Sequence, residues 1–160
     1  MKEAIGGSWL FLIVIVFLSL FACFISISVN LSKSYKVKDE ILFLIEKNHG
    51  MNKAALEEMS DYLTDVGYRS TGKCPTGDGA CWYGFSYDNT KSSSMNPNFC
   101  VKKTVVSATA IGHPNTAYYS VKVFFKLDMP VLNNVLKFTV DGETSQIVNV
   151  NDTLIKNVKC

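Results

Sequence analysis

The sequence predicts an α+β fold: a long N-terminal helix, a second short helix and a small antiparallel β-meander. Three observations lead there. From Ser8 to His49 the chain has neither proline nor glycine. A second run with helical spacing follows from Asn52 to Val66. The last third is rich in valine and alternates apolar with polar residues between turn signals.

The first half of the long helix is a run without charge, proline or glycine, from Trp9 to Ser28. Twenty helical residues cover roughly 30 Å, the thickness of a bilayer's hydrocarbon core. A cleaved signal peptide has an apolar core of about 7–15 residues followed by a small-residue cleavage site, and this run is longer with no such site. A lipoprotein signal would need small residues ahead of Cys23, where Phe21 is bulky. The run therefore reads as a transmembrane anchor over residues 1–30.

Beyond Asn30 the pattern becomes amphipathic. Val37, Ile41, Leu44 and Ile45 share one face, with Lys36, Lys38, Asp39, Glu40, Glu46 and Lys47 mostly elsewhere. The simplest reading is one helix from about Ser8 to His49, roughly 60 Å long, stopped by Gly50. In the second helix Asn52 is the expected cap and Gly67 the expected end, with Ala55, Leu56, Met59, Tyr62, Leu63 and Val66 facing a core. Tyr68 to Asn98 is loop chemistry, with a short strand expected at Cys81–Tyr87 and an exposed tip at Lys91–Ser94. Strands are expected at Phe99–Thr109, Tyr118–Asp128, Val135–Asp141 and Thr144–Val150, the last two joined by a hairpin turn at Asp141-Gly142. One face of this sheet should pack on the apolar stripe of the long helix, since each would otherwise leave it exposed.

Net charge is +2 with Lys and Arg scattered, which gives no clustered basic face for nucleic acid. Lys33, Lys36 and Lys38 follow the apolar run, and by the positive-inside rule they favour a cytoplasmic C-terminal side. Cys74, Cys81, Cys100 and Cys160 argue the opposite, because four cysteines in a small domain suit a compartment where disulfides persist. The cysteines decide the reading: residues 31–160 form an extracytoplasmic domain of a single-pass cell-membrane protein. Zinc would want close C-x-x-C pairs, and neither His49 nor His113 has a second ligand nearby. No metal or cofactor is expected. Four cysteines allow three pairings; the expectation is a local clip, Cys74–Cys81, and a staple from the first main strand to the C-terminus, Cys100–Cys160. There is no nucleophile elbow, phosphate loop or H-E-x-x-H, so no catalysis is expected.

A helix half in the membrane and half laid along a small sheet is the pilin plan. The chain resembles a TadE-like minor pilin or pilin-like protein of a tight-adherence (type II/IV secretion-related) system in Gram-positive bacteria. The resemblance rests on Met1-Lys2-Glu3-Ala4-Ile5-Gly6-Gly7 leading into the apolar run, Val29-Asn30 closing it, and Lys36-Val37-Lys38-Asp39-Glu40-Ile41 continuing the helix. Tyr62-Leu63, Gly67-Tyr68, Cys74, Asp128-Met129-Pro130-Val131-Leu132 and Gly142-Glu143-Thr144 extend it. It implies a structural, non-catalytic part of a surface filament or its assembly apparatus, in a hetero-oligomer with other pilin-like subunits and assembly proteins. It also implies that Glu3 pairs with a neighbouring subunit's amino terminus, since a carboxylate near a bilayer is costly unless paired. The sequence departs from the family's pattern in having Leu12, not Glu, at the fifth position after Gly6-Gly7.

From the residues themselves, Ser19, Ala22, Ser26 and Asn30 share one side of the helix and are the candidates for helix–helix packing, which in lipid relies on small and polar side chains. The alternative reading is a membrane-tethered binding or sensor domain whose aromatic segment, Trp82 to Tyr87, captures a ligand.

Overall fold

A computed structural model describes residues 2–76, 81–86, 96–106, 116–127 and 136–155. The order of elements is α1 (Lys2–Lys47), α2 (Lys53–Asp65), β1 (Trp82–Phe85), β2 (Phe99–Val106), β3 (Thr116–Leu127) and β4 (Leu136–Glu143). The four strands form one antiparallel sheet in the order β1-β2-β3-β4, so the fold is α+β with a simple meander. The tip expected at Lys91–Ser94, His113 and Cys160 lie outside the described residues.

α1 is a single helix of 46 residues, roughly 70 Å long. No proline interrupts it and no glycine follows Gly7, which removes the usual causes of a sharp kink. Both helices end in the same way. At the end of α1, His49 N donates to Glu46 O and Gly50 N to Ile45 O; at the end of α2, Gly67 N donates to Thr64 O and Tyr68 N to Leu63 O. These paired bonds satisfy the last carbonyls in Schellman fashion. The stop after α1 was expected at Gly50, but the left-handed residue is His49, with φ 54°. Gly50 is needed one step later for space as well as conformation. Its φ is 132°, and a Cβ there would come within 2.6 Å of Asp152 Oδ1 and 3.0 Å of the Tyr119 hydroxyl. α2 begins as expected, with Asn52 Oδ1 accepting from Ala55 N at 2.9 Å.

The core lies between the helices and one face of the sheet. Val37, Ile41, Leu44 and Ile45 of α1 meet Ala55, Leu56, Met59 and Leu63 of α2 and Phe85, Phe99, Val101, Tyr119, Val121 and Val123 of the sheet. The stripe read from the sequence is thus the stripe that is buried. The first half of α1 has no such cover. Trp9 is 69% exposed and Phe24 65%, and this is the one helix among the described residues long and apolar enough to cross a membrane.

The expected hairpin at Asp141-Gly142 does not form. β4 continues through both residues, with Lys122 opposite Asp141 and Val121 opposite Gly142. Glycine stands there because α1 crosses closely: a Cβ would meet Lys38 Cδ at 2.8 Å and Leu42 Cδ1 at 2.9 Å. Nor is Thr144–Val150 a returning strand. The chain keeps to the same edge of β3, where Ile147 bridges Ala117. That bridge is one residue out of step with the Ser120–Glu143 pair, an offset of the β-bulge kind. Thr144 Oγ1 accepts from Tyr119 N at 2.9 Å, and Glu46 Oε1 accepts from Ser145 N at 2.7 Å, so this segment is fastened to both β3 and α1.

Ile41 is fully buried at the centre of this contact. Ile41→Ala should lower the unfolding free energy by about 2–5 kcal/mol, read by urea denaturation of the detergent-solubilised chain. Phe43→Ala, on the exposed side of the same helix, should stay within about 0.5 kcal/mol.

Candidate functional site

The helix-packing candidates lie on α1 as the spacing requires. Ala22 and Ser26 are exposed. Ser19 Oγ donates to Ile15 O at 2.9 Å and Asn30 Nδ2 to Ser26 O at 3.0 Å, so both polar groups are satisfied within their own helix. This leaves a strip of small and polar side chains along one side of the helix, opposite Phe17, Phe21 and Phe24. At about 100° per residue, the strip runs on into the buried face marked by Ser34, Val37 and Ile41. The burial of Ser34, Val37 and Ile41 identifies this as the side of α1 that carries the domain. Glu3 falls in the first turn of α1, and its side chain lies outside the described part.

At the far end of the domain a buried charge cluster closes the fold. Asp152 and Lys103 pair at 2.7 Å, with side chains only 5% and 9% exposed. Asp152 also accepts from Tyr119 Oη at 2.8 Å and from Met51 N at 2.7 Å. Neighbouring bonds run alongside: Asn151 N donates to His49 O, and Thr153 N and Leu154 N to Met51 O. The α1–α2 turn, β2, β3 and the last described segment therefore meet on one carboxylate. Burial, reinforced by the hydrogen bond and negative charge of Asp152, pushes the Tyr119 phenol well above its ordinary range. Sequence reading passed over this cluster. Asp152 lies in Asn151-Asp152-Thr153, which looks like a turn. A signal did exist in β2, where Lys103 occupies an inward position in the alternation Phe99, Val101, Lys103.

The cysteine framework requires a correction. Cys74 is bonded to Cys100, with a Cα–Cα distance of 5.7 Å and a separation of 26 residues. This excludes both expected pairings, Cys74–Cys81 and Cys100–Cys160. The reason is the path of the chain after α2. Tyr68 donates from its hydroxyl to Phe124 O, Asn98 Nδ2 to Ser70 O, and Gly72 N to Pro97 O. The segment is drawn round the end of the sheet onto its outer face and laid across Gly84, where a Cβ would stand 3.2 Å from Cys74 Sγ. Cys100 pairs with Gly84 in the β1–β2 ladder and so lies directly in reach. Cys81 is also disulfide-bonded, and Cys23 in α1 is free.

The aromatic segment forms β1 and packs into the fold. Phe85 is fully buried and stacks on Phe99 at 5.6 Å, Tyr83 packs on the core, and the Lys122 ammonium sits over the Trp82 ring at 5.3 Å. Tyr87 lies outside the described residues. His49 serves the helix stop. The chain matches no protein-family model, no curated protein and no solved structure.

Two outcomes test this reading of the cluster and the framework. Asp152→Asn should cost about 3–5 kcal/mol by leaving the Lys103 ammonium buried without its partner charge. Because the Tyr119 pKa is raised on folding, its contribution is complete below the unfolded value near 10 and declines as pH rises beyond it. Stability should therefore fall above about pH 10, and Tyr119→Phe should flatten that alkaline limb; an unchanged limb would refute the role. Non-reducing peptide mapping should recover Cys74 joined to Cys100, and the Cys74→Ser, Cys100→Ser double variant should lose about 3 kcal/mol.

Proposed function

We propose that the chain is a structural, pilin-like subunit of the TadE-like kind, part of a surface filament or its assembly apparatus. In this reading residues 1–30 anchor it in the cell membrane, and residues 31–160 stand outside the cytoplasm. It is non-catalytic, and it works in a hetero-oligomer with other pilin-like subunits and assembly proteins.

The observation that carries this reading is the division of labour within α1. One continuous helix leaves its apolar half bare and buries the stripe of its other half against the sheet. A soluble protein gains nothing from a long bare apolar helix, whereas a bilayer accepts one. Such a helix also gives the domain a rigid stalk, so that helix packing in the membrane fixes how neighbouring domains stand. The Cys74–Cys100 bond supports a domain outside the reducing cytoplasm. The strip Ser19, Ala22, Ser26 and Asn30 allows the close approach of a second helix, which in lipid is driven by packing and interhelical hydrogen bonds.

The test is recovery of partner subunits from cells expressing a tagged full-length chain. Ala22→Leu should reduce co-purification several-fold, and Phe17→Leu, on the opposite side of the helix, should not. Equal recovery with Ala22→Leu would remove the strip as the contact.

A further inference from the structure

The end of the domain nearest the apolar half of α1 is cationic and concave. A cavity of about 260 Å³ is lined by Asn30, Lys33 and Ser34 of α1, Arg69 and Ser70 of the loop after α2, and Lys126 near the end of β3, among others. Three cations line it, and no carboxylate is among the described lining residues. Lys33 is partly buried, while Arg69 and Lys126 are exposed. A second concavity on the same end of the sheet adds Lys73 and Lys137 beside Phe138, an aromatic ring that is 49% exposed.

The level of this cavity along α1 is informative. The uncharged run ends at Ser28, and the α1 lining begins at Asn30 and stops at Ser34. Four residues of helix rise about 6 Å. The headgroup layer on each side of a bilayer is roughly 5–7 Å thick. With α1 in the membrane, the cavity stands at the level of the headgroup layer.

We propose that this cavity holds the phosphate of an anionic lipid headgroup, with Lys33, Arg69 and Lys126 as its cationic ligands. The proposal rests on the membrane-anchored reading given above. Arg69 offers a planar fork suited to two phosphate oxygens, and the two lysines supply point charge. Ser34 and Ser70 bring polar groups to the same wall. The exposed Phe138 ring suits the boundary between acyl chains and headgroups, where amphipathic and apolar side chains of interfacial proteins insert. The three cations are far apart in sequence, and only the return of α2 and β3 to the foot of α1 gathers them.

The experiment uses the full-length chain, extracted in detergent with an equimolar mixture of phosphatidylglycerol and phosphatidylcholine and examined by native mass spectrometry. The wild-type chain should retain phosphatidylglycerol in clear preference. Lys33→Gln, Arg69→Gln and Lys126→Gln should each lower that preference about fivefold, the worth of one cation at an anionic surface. Arg69→Lys, which keeps the charge without the fork, should fall between wild type and Arg69→Gln, and Lys53→Gln, at the other end of α2, should leave the preference unchanged. An equal loss with Lys53→Gln, or an Arg69→Gln chain with its preference intact, would overturn the site. So would displacement of the lipid by millimolar inorganic phosphate, which would assign the cavity to a soluble anion instead. Carbonate extraction of membranes from the same cells separates the two levels. A chain that washes out overturns both the anchor and the lipid site; a chain that stays but shows no lipid preference overturns only the site.

Discussion

Everything in this molecule hangs on one contact, the stripe Val37, Ile41, Leu44 and Ile45 against the sheet and α2. Among the described residues the sheet has four strands, and α2 spans only Lys53–Asp65. Neither could bury its apolar face alone, and α1 covers both. Because α1 is continuous, the same contact fixes the direction in which its bare half leaves the domain. Gly142 shows how close the fit is, since even a methyl group there would run into Lys38 and Leu42. In the proposed function this rigidity matters more than any single side chain, for it turns packing of helices in a membrane into an arrangement of domains outside it.

The two ends of the domain are closed by different physics. At the end remote from the bare half of α1, a carboxylate gathers an ammonium, a phenol and a backbone amide in a site with little access to water. A buried pair of this kind contributes little net free energy against apolar residues of the same size. Its contribution is geometric, since it ties the last described segment to the α1–α2 turn, β2 and β3. At the other end the chain rounds the sheet through Tyr68, Arg69 and Ser70 and is held by the Cys74–Cys100 bond. That wrap covers part of the outer face, where Phe124 lies against Gly72.

The cations near the foot of α1 bear on topology as well. Lys33, Lys36 and Lys38, counted as loop charges, favour a cytoplasmic domain. In the structure Lys33 helps line a cavity with Arg69 and Lys126, and Lys38 lies against the sheet at Gly142. Charges on the surface of a folded domain are part of its surface chemistry as well as of the count along the chain.

The local, periodic features were legible in the sequence. The apolar run, the buried stripe of α1, α2 with its Asn52 cap and Gly67 stop, and the alternation of β3 all depend on residues a few positions apart, where helix and strand periods act. The α+β class follows from them. What the tertiary structure decided were the meetings of distant residues. Asp141-Gly142 has the chemistry of a tight turn, yet β3 offers it a ladder and α1 requires its missing side chain, so it is strand. Cys74 stands nearer in sequence to Cys81, yet the wrap round the sheet delivers it to Cys100. Asp152, Lys103 and Tyr119 form a cluster only because three separate segments converge. A pattern along the chain records which face a residue wants to bury; which partner it finds there is set by the path of the whole backbone.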